Sequence, residues 1–425
     1  MKIAVMTTAF YPDPVVGAVR MTQWVRRFVA RGCEVFVVAR AGGPQGVGIH
    51  HPIDGVTVLR LPGMTVGKNA VARPRANGGD PIPGSPDSGR RLRPQSVARR
   101  VIDRISVPDA SVWGIRRDRR QALAFLRQCD PDVLLSSSPP HSIHGSAFSI
   151  VDRLHVPWVA DFRDPLIIDS RYRDVGRRTL RNLLRRGFED RVHRNSDAVI
   201  HTIPIHHRWA RLRYPDRRER FRLIPNGAPE GLSPIGRTDR SSEAPRPFVV
   251  FSSSTPPASE IGRFAGVLRA AGVDREILIH CCGRGEPSRS SIGPGVQLQI
   301  LGRIPHADVL RRTAEADLLL AHLPAERSRT MGFSSKLNEY LAVGRPVVIV
   351  NPTLPDRQFL RRWPIATVID PTSPSEAGRA VRRVLDHAGC GGDATATAFY
   401  QAFNRPDQAD AALEVLRSVV DADVG

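Results

Sequence analysis

Ser334, Ser335, Lys336 and Glu339 stand close together in a stretch whose composition asks for a loop, a helix and a strand. Gly332 and the two serines supply small, cap-forming residues. Leu337, Tyr340 and Leu341 follow a helical period, Gly344 ends it, and Pro346 to Val350 has strand composition. A helix N-terminus reached through Gly and Ser presents free backbone N–H groups, which bind anions, phosphates above all. Lys336 places a cation in the first turn, where the macrodipole disfavours one unless an anion lies nearby. Glu339 falls on nearly the same face, and a carboxylate accepts two hydrogen bonds side by side, as the vicinal diol of a ribose offers. The chemistry implied is capture of a nucleotide-linked phosphate. The plainer alternative is a capped helix whose Lys336 and Glu339 are merely solvated.

Such a loop needs a parallel sheet to position it, and the chain supplies two sets of elements for one. Lys2 to Met6 reads as a strand, Thr7 to Ala18 as a turn-rich loop, and Val19 to Ala30 as a helix with Met21, Trp24, Val25 and Phe28 on its apolar face; Glu34 to Ala39 is the next strand. This is the strand-loop-helix-strand unit of a doubly wound fold. No GxGxxG occurs in it, which argues against a dinucleotide site there. Gly17 either lets a phosphate approach the helix or only permits the turn. Further on, the strand at Val133 to Leu135 ends in Ser136-Ser137-Ser138-Pro139-Pro140-His141-Ser142, and the strand at Pro157 to Ala160 ends in Asp161-Phe162-Arg163-Asp164-Pro165. Ligands of open parallel sheets collect at the carboxyl ends of strands. Ser136, His141, Asp161, Arg163 and Asp164 therefore fall on one rim, as ligand-facing groups or as helix caps and rim salt bridges. A second unit starts at Pro247 to Phe251 and runs through strands Glu276 to Cys282, Val296 to Leu301 and Asp317 to His322. Helices are expected at Ile261 to Ala271, Ala307 to Ala314, Glu376 to His387 and Gln408 to Val419.

Several of these stretches resemble one family. SSKLNEYLAVGRPVV, from Ser334 to Val348, resembles the SKxxEYLAxGxPVV segment of family 4 retaining glycosyltransferases. SSSPPHS followed by PWVADFRDP resembles a subgroup that carries both motifs. The opening MKIAVMTTAFYPDPVVGAVR, the crossing RLIPNG and the segment LGRIPHADVLRRTAEADLLL are similar to further parts of that family. The resemblance implies an α/β, GT-B architecture: two facing Rossmann-like, doubly wound domains with a cleft between them. It implies an acceptor-side domain at 1–227 with an insertion at 62–96, a linker at 228–246, a donor domain at 247–395, and a terminal helix at 396–425 packing back on the first domain. In that family Glu339 would hold the donor ribose, the turn at Ser334, Ser335 and Lys336 and the loop glycine Gly17 would meet the diphosphate, and Ile304 with Arg303 would lie at the base. Arg163, Asp164 and Asp161 would orient sugar or acceptor, with Ser138 and His141 on the acceptor side.

The activity so implied is retaining transfer of a hexose-type sugar from a nucleotide-diphosphate sugar to a glycan, lipid-linked or small-molecule acceptor. No metal and no cofactor is called for, since the donor is itself the substrate. Two departures bear on this. Met331 stands where many members have a second Glu, and Ser252-Ser253-Ser254-Thr255-Pro256-Pro257 replaces a Gly-Arg and Lys pair that neutralises the diphosphate. The missing charge would have to come from Lys336, Arg303, Arg284 or helix dipoles. The same departures fit an alternative, an inactive nucleotide-sugar-binding protein of the same fold.

Composition narrows the classes further. At 425 residues the chain exceeds one ordinary core, and 41% hydrophobic content is that of a globular protein. The net charge of +20 is nearly all arginine, with lysine only at Lys2, Lys68 and Lys336; with many Ala, Gly and Pro, this reads as the bias of a GC-rich genome. No aromatic-basic interleaving points to nucleic acid. The helical patterns Val97 to Ile105 and Trp113 to Leu126 carry Arg99, Arg100, Arg116, Arg117, Arg119 and Arg120, a surface for anionic lipid or a solvated face. No apolar run approaches the roughly 20 residues of a membrane span, so a cytoplasmic location is expected, with peripheral contact at the inner membrane face as an option. The five cysteines show neither CxxC spacing nor His companions at metal-ligand intervals, and no metal centre is expected.

Overall fold

Along β1 (Lys2–Met6) successive side chains enter two different cores: Ile3 and Val5 lie in one, Ala4 and Met6 in another. That alternation is the period of a strand buried on both faces, which needs helices above and below. The computed structural model describes residues 1–13, 16–41, 45–62, 106–167, 179–229, 246–283, 287–302, 304–322, 335–350 and 360–424. Nearly all of the 62–96 insertion, the helix expected at Val97 to Ile105 and most of the 228–246 linker lie outside the described residues.

β1 is central in the first sheet. With β2 (Glu34–Arg40), β3 (Gly48–Ile53), β4 (Val56–Leu61), β5 (Val133–Ser138), β6 (Trp158–Phe162), β7 (Ala198–His201) and β8 (Phe221–Leu223) it gives the order β3-β4-β2-β1-β5-β6-β7-β8. All pairings are parallel except β3 with β4. The second sheet comprises β9 (Phe248–Ser252), β10 (Ile277–Cys281), β11 (Ser288–Gly293), β12 (Val296–Ile300), β13 (Leu318–His322), β14 (Val347–Val350) and β15 (Ala366–Ile369), in the order β11-β12-β10-β9-β13-β14-β15. Only the edge strand β11 runs antiparallel. Each sheet reverses its strand order once, between β1 and β5 and between β9 and β13, and a crevice opens at such a switch point.

Helix α1 (Val16–Ala30) covers one face of the first sheet with Met21, Trp24, Val25 and Phe28. Helices α2 (Val112–Cys129), α3 (Ser142–Leu154), α4 (Leu180–Asn195) and α5 (Pro204–Arg213) cover the other. The second sheet is covered by α6 (Ala258–Ala270), α7 (His306–Glu315), α8 (Ser335–Val343) and α9 (Pro374–Phe403). The closing helix α10 (Arg405–Val424) returns to the first sheet, where Ala409, Ala412, Leu413, Leu416 and Val419 join the core that holds Ile3 and Val5. Arg27 of α1 and Arg31 just after it grip Asp410 of α10 at 2.6 Å each.

The helix expected to stop at His387 in fact continues to Phe403 through a glycine-containing stretch. Phe399 is fully buried, and its ring and that of Phe403 pack on Trp363. Burying two aromatic rings outweighs about 1 kcal/mol per helical glycine. The antiparallel edges β3 and β11 and the short strand β15 had no clear periodic signal in the sequence. Among the described residues no helix is long and apolar enough to cross a membrane.

The bonds between Asp410 and first Arg27, then Arg31, hold the carboxyl far below the usual carboxylate range. A depressed folded-state value means that this stability is present above the unfolded pKa of about 4 and is lost as pH falls through the folded one. Asp410→Asn should therefore lower urea resistance at neutral pH by about 0.5–1 kcal/mol and by clearly less at pH 2. Equal destabilisation at both pH values would show that the pair carries no charge-dependent stability.

Candidate functional site

The carboxyl ends of both sheets open onto one cleft of about 1000 Å³. Thr8 and Ala9 follow β1, Pro139 follows β5, and Arg163 and Asp164 follow β6; on the other wall Ser253 follows β9 and Cys282 follows β10. Gly17 of α1 and Lys336 and Glu339 of α8 complete the lining from opposite sides.

On the first wall Arg163 is buried and its guanidinium is held by three backbone carbonyls. Nε donates to Ser138 O at 2.8 Å, Nη2 donates to Pro139 O at 3.0 Å, and Nη1 donates to Gly17 O. A Cβ at Gly17 would lie only 3.4 Å from that Nη1, so the small residue lets the fork sit against the start of α1. Burial pushes the Arg163 pKa down, opposed by Asp161 and Asp164. The side chain is a fixed positive group whose orientation the backbone sets.

Asp161 has a different place. Both its oxygens are engaged: Arg20 donates through Nη2 at 3.0 Å to Oδ1 and through Nε at 3.4 Å to Oδ2, and Ser137 Oγ donates at 2.7 Å to Oδ2. Arg20 also donates to Ile224 O and Pro225 O at 2.9 and 2.8 Å, and its guanidinium lies 4.0 Å over the Trp24 ring. Asp161 thus anchors the interdomain crossing and stays outside the cleft lining, against its expected orienting role. Ser138 and His141, assigned to the acceptor side from the sequence, are fully buried and likewise outside the lining; Ser138 contributes its carbonyl, through Arg163. All three sit at the rim with their side chains buried in its packing.

On the second wall Lys336 Nζ donates to Ser253 O at 2.6 Å. Ser253 N donates to the Tyr340 hydroxyl at 2.8 Å, and that hydroxyl donates to Ser253 Oγ at 2.9 Å. The serine-rich loop after β9 is therefore held by residues one helical turn apart on α8. Partial enclosure lowers the Lys336 pKa, while Cys282 and Glu339 raise it. Glu339 Oε1 accepts from His306 Nε2 at 3.2 Å and from Arg405 Nη2 at 3.3 Å. Arg405 also donates through Nε to Gly227 O at 3.2 Å, so one side chain joins the crossing to the second wall.

Of the residues singled out by sequence, Gly17, Arg163, Asp164, Lys336 and Glu339 come together. Ser335 is the first residue of α8. Ile304 is partly buried against the second core and outside the lining. Ser334, Arg303, Arg284 and Met331 lie outside the described residues. Arg405 was missed, and nothing local announces it: it reaches Glu339 across 66 positions of sequence. Arg20 was hidden among the many arginines of a basic chain.

Residues 17–227 match a family model described as a glycosyl transferase 4-like domain. No curated protein sequence matches the chain. Among solved structures it is similar to sucrose-phosphate synthase from Thermosynechococcus elongatus, at 16% identity and a TM-score of 0.63 over 99% of both chains. It is similar to a glycosyltransferase from Rickettsia africae ESF-5, at 10% identity and a TM-score of 0.59 over 99% of this chain and 98% of the other. Anabaena HepE in complex with UDP and glucose matches at 13% identity and a TM-score of 0.58, over 98% of this chain and 100% of that one. The fold is that of the GT-B glycosyltransferases, two Rossmann-like domains about a cleft.

The Glu339 contact raises the pKa of His306, and Arg405 opposes it. In Glu339→Gln the His306 pKa, followed by NMR, should fall, and in Arg405→Ala it should rise. No movement in either variant would show that the three side chains do not share a site.

Proposed function

We infer that the protein is a glycosyltransferase that transfers a sugar from a nucleotide-diphosphate donor with retention of configuration. The observation that carries this is the shared cleft: Lys336 and Glu339 of the second half face Gly17, Arg163 and Asp164 of the first across it. Both partners of Glu339 bond Oε1, which leaves Oε2 to accept from a ribose hydroxyl. The start of α8 and Lys336 meet the diphosphate, with Arg163 opposite. Together they take the place of the Gly-Arg and Lys pair that the serine loop lacks, and of a metal ion at the diphosphate.

The chemical step follows from that charge. As the glycosidic C–O bond breaks, its electron pair goes to the leaving phosphate oxygen and an oxocarbenium-like centre forms at the sugar. Fixed positive groups stabilise the departing charge in a partly enclosed site. The acceptor hydroxyl attacks from the face the phosphate leaves, and its proton passes to a phosphate oxygen, so no enzyme nucleophile is required. Asp164 orients sugar or acceptor. A lipid-linked acceptor fits the first half, where Leu180, Leu183 and Leu184 of α4 are more than half exposed beside arginines such as Arg186.

A panel of nucleotide sugars, read by thermal shift and by donor hydrolysis, tests the reading. One donor should bind, and Glu339→Ala should weaken it about 10- to 100-fold through loss of hydrogen bonds to a charged acceptor. Lys336→Ala should lower kcat about 100-fold with a smaller change in KM. Binding without turnover for every donor and acceptor tried would favour the inactive binding protein; no binding at all would overturn both. For the membrane contact, sedimentation with anionic vesicles should fall when Leu180, Leu183 and Leu184 are changed to Ser, and no binding to such vesicles would remove it.

A further inference from the structure

Behind the rim that carries Arg163 and Asp164 lies a cluster of buried histidines that the transfer reaction does not use. His193 lies in the last turn of α4, His201 ends β7 and His206 lies in the first turn of α5, at 1%, 0% and 0% exposure. One ring nitrogen from each lies within 4.8 Å of the others. The ring of Phe162, the residue before Arg163, packs against all three.

Hydrogen bonding among the imidazoles leaves the cluster incomplete. His193 Nδ1 lies 2.9 Å from Glu189 O, so it carries the proton and Nε2 keeps a lone pair. That Nε2 is 3.1 Å from His201 Nε2, and one N–H···N bond can satisfy the pair. His206 Nε2 lies 3.2 Å from Glu189 Oε1. What remains are His201 Nδ1 and His206 Nδ1, both buried and without a partner. A buried acceptor is ordinarily hydrogen-bonded, so the lone pair on His206 Nδ1 is the one open to a ligand, while His193 and His201 share theirs through Nε2.

We propose that His193, His201 and His206 bind a divalent transition ion of the zinc class, with Glu189 supporting the ligands from behind. Zinc-to-imidazole bonds of about 2.0–2.1 Å set tetrahedral nitrogens about 3.3 Å apart, close to the spacing of His193 and His201. The third nitrogen closes by a shift of at most about 1.5 Å. Metal-bound imidazoles commonly donate their other N–H to a carboxylate or a backbone carbonyl, and Glu189 supplies one of each, from His206 to its side chain and from His193 to its main chain. The Glu189 carboxylate also offsets part of the ion's charge in the interior. Three imidazoles leave one tetrahedral position for a water, and an ion held this deep would staple α4, β7 and α5 together beneath the loop that presents Arg163 and Asp164. The His193, His201 and His206 intervals match no complete metal motif, and only the fold assembles the three.

The test uses the full chain with any affinity tag removed. Protein exposed to Zn2+ and then gel-filtered should retain one equivalent by elemental analysis, and Co2+ in its place should give the visible absorption of a tetrahedral site. Dialysis against a chelator should lower Tm, and Glu189→Gln should weaken binding about 10- to 100-fold. The triple variant His193→Gln, His201→Gln, His206→Gln should lose the ion. Should that variant not fold, X-ray absorption of the zinc-loaded wild type decides: imidazole scattering supports the site, and sulfur or purely oxygen ligands overturn it. Folded wild-type protein that keeps neither Zn2+ nor Co2+, or a triple variant that keeps the same equivalent, also overturns it.

Discussion

The buried pair of Arg20 and Asp161 is the interaction on which the arrangement of the two halves depends. One carboxylate and one guanidinium, both out of water, would be costly alone, and each is satisfied only because the other is there. Asp161 comes from the end of β6 and takes a further bond from Ser137 at the end of β5. Arg20 comes from α1 and spends its remaining donors on the carbonyls of Ile224 and Pro225, where the chain leaves the first domain. The pair joins two strand ends and α1 to the crossing and so sets where the second domain begins. Arg405 repeats the device from the other direction, from Gly227 to Glu339.

Positive charge in the cleft is organised by the backbone more than by carboxylates. Arg163 rests on the carbonyls of Gly17, Ser138 and Pro139, and Lys336 on that of Ser253. Carbonyl dipoles orient a cation without neutralising it, which leaves the field available to an anion. A carboxylate partner would have cancelled much of it. The serine loop after β9 then makes physical sense: it brings no charge of its own but offers Lys336 and Tyr340 a fixed place to bond.

Dense packing on the first rim explains why some polar residues there face inward. Phe162 is surrounded by His144, His193, His201 and His206, and Ser136 Oγ takes a bond from Trp158 Nε1 at 2.8 Å. This layer lies directly behind Arg163 and Asp164. Rigidity there keeps the cleft-facing groups in place, since the loop that carries them has little room to shift.

The sequence by itself determined the two doubly wound halves, because alternation in strands and the 3.6 period in helices are local and strong. Residues 2–39 and 335–350 show both periods clearly, and the structure forms β1, α1, β2, α8 and β14 there. It also marked Lys336, a cation where the helix dipole disfavours one, and Glu339 three residues further on. Only the tertiary structure decided which rim residues reach the ligand. Asp161 and Asp164 are three positions apart with the same side chain, yet one is consumed by Arg20 and the other lines the cleft. Arg405 and the histidine cluster became visible only when distant segments met, because an arginine among dozens or three scattered imidazoles carry no periodic signal until folding fixes the distances between them.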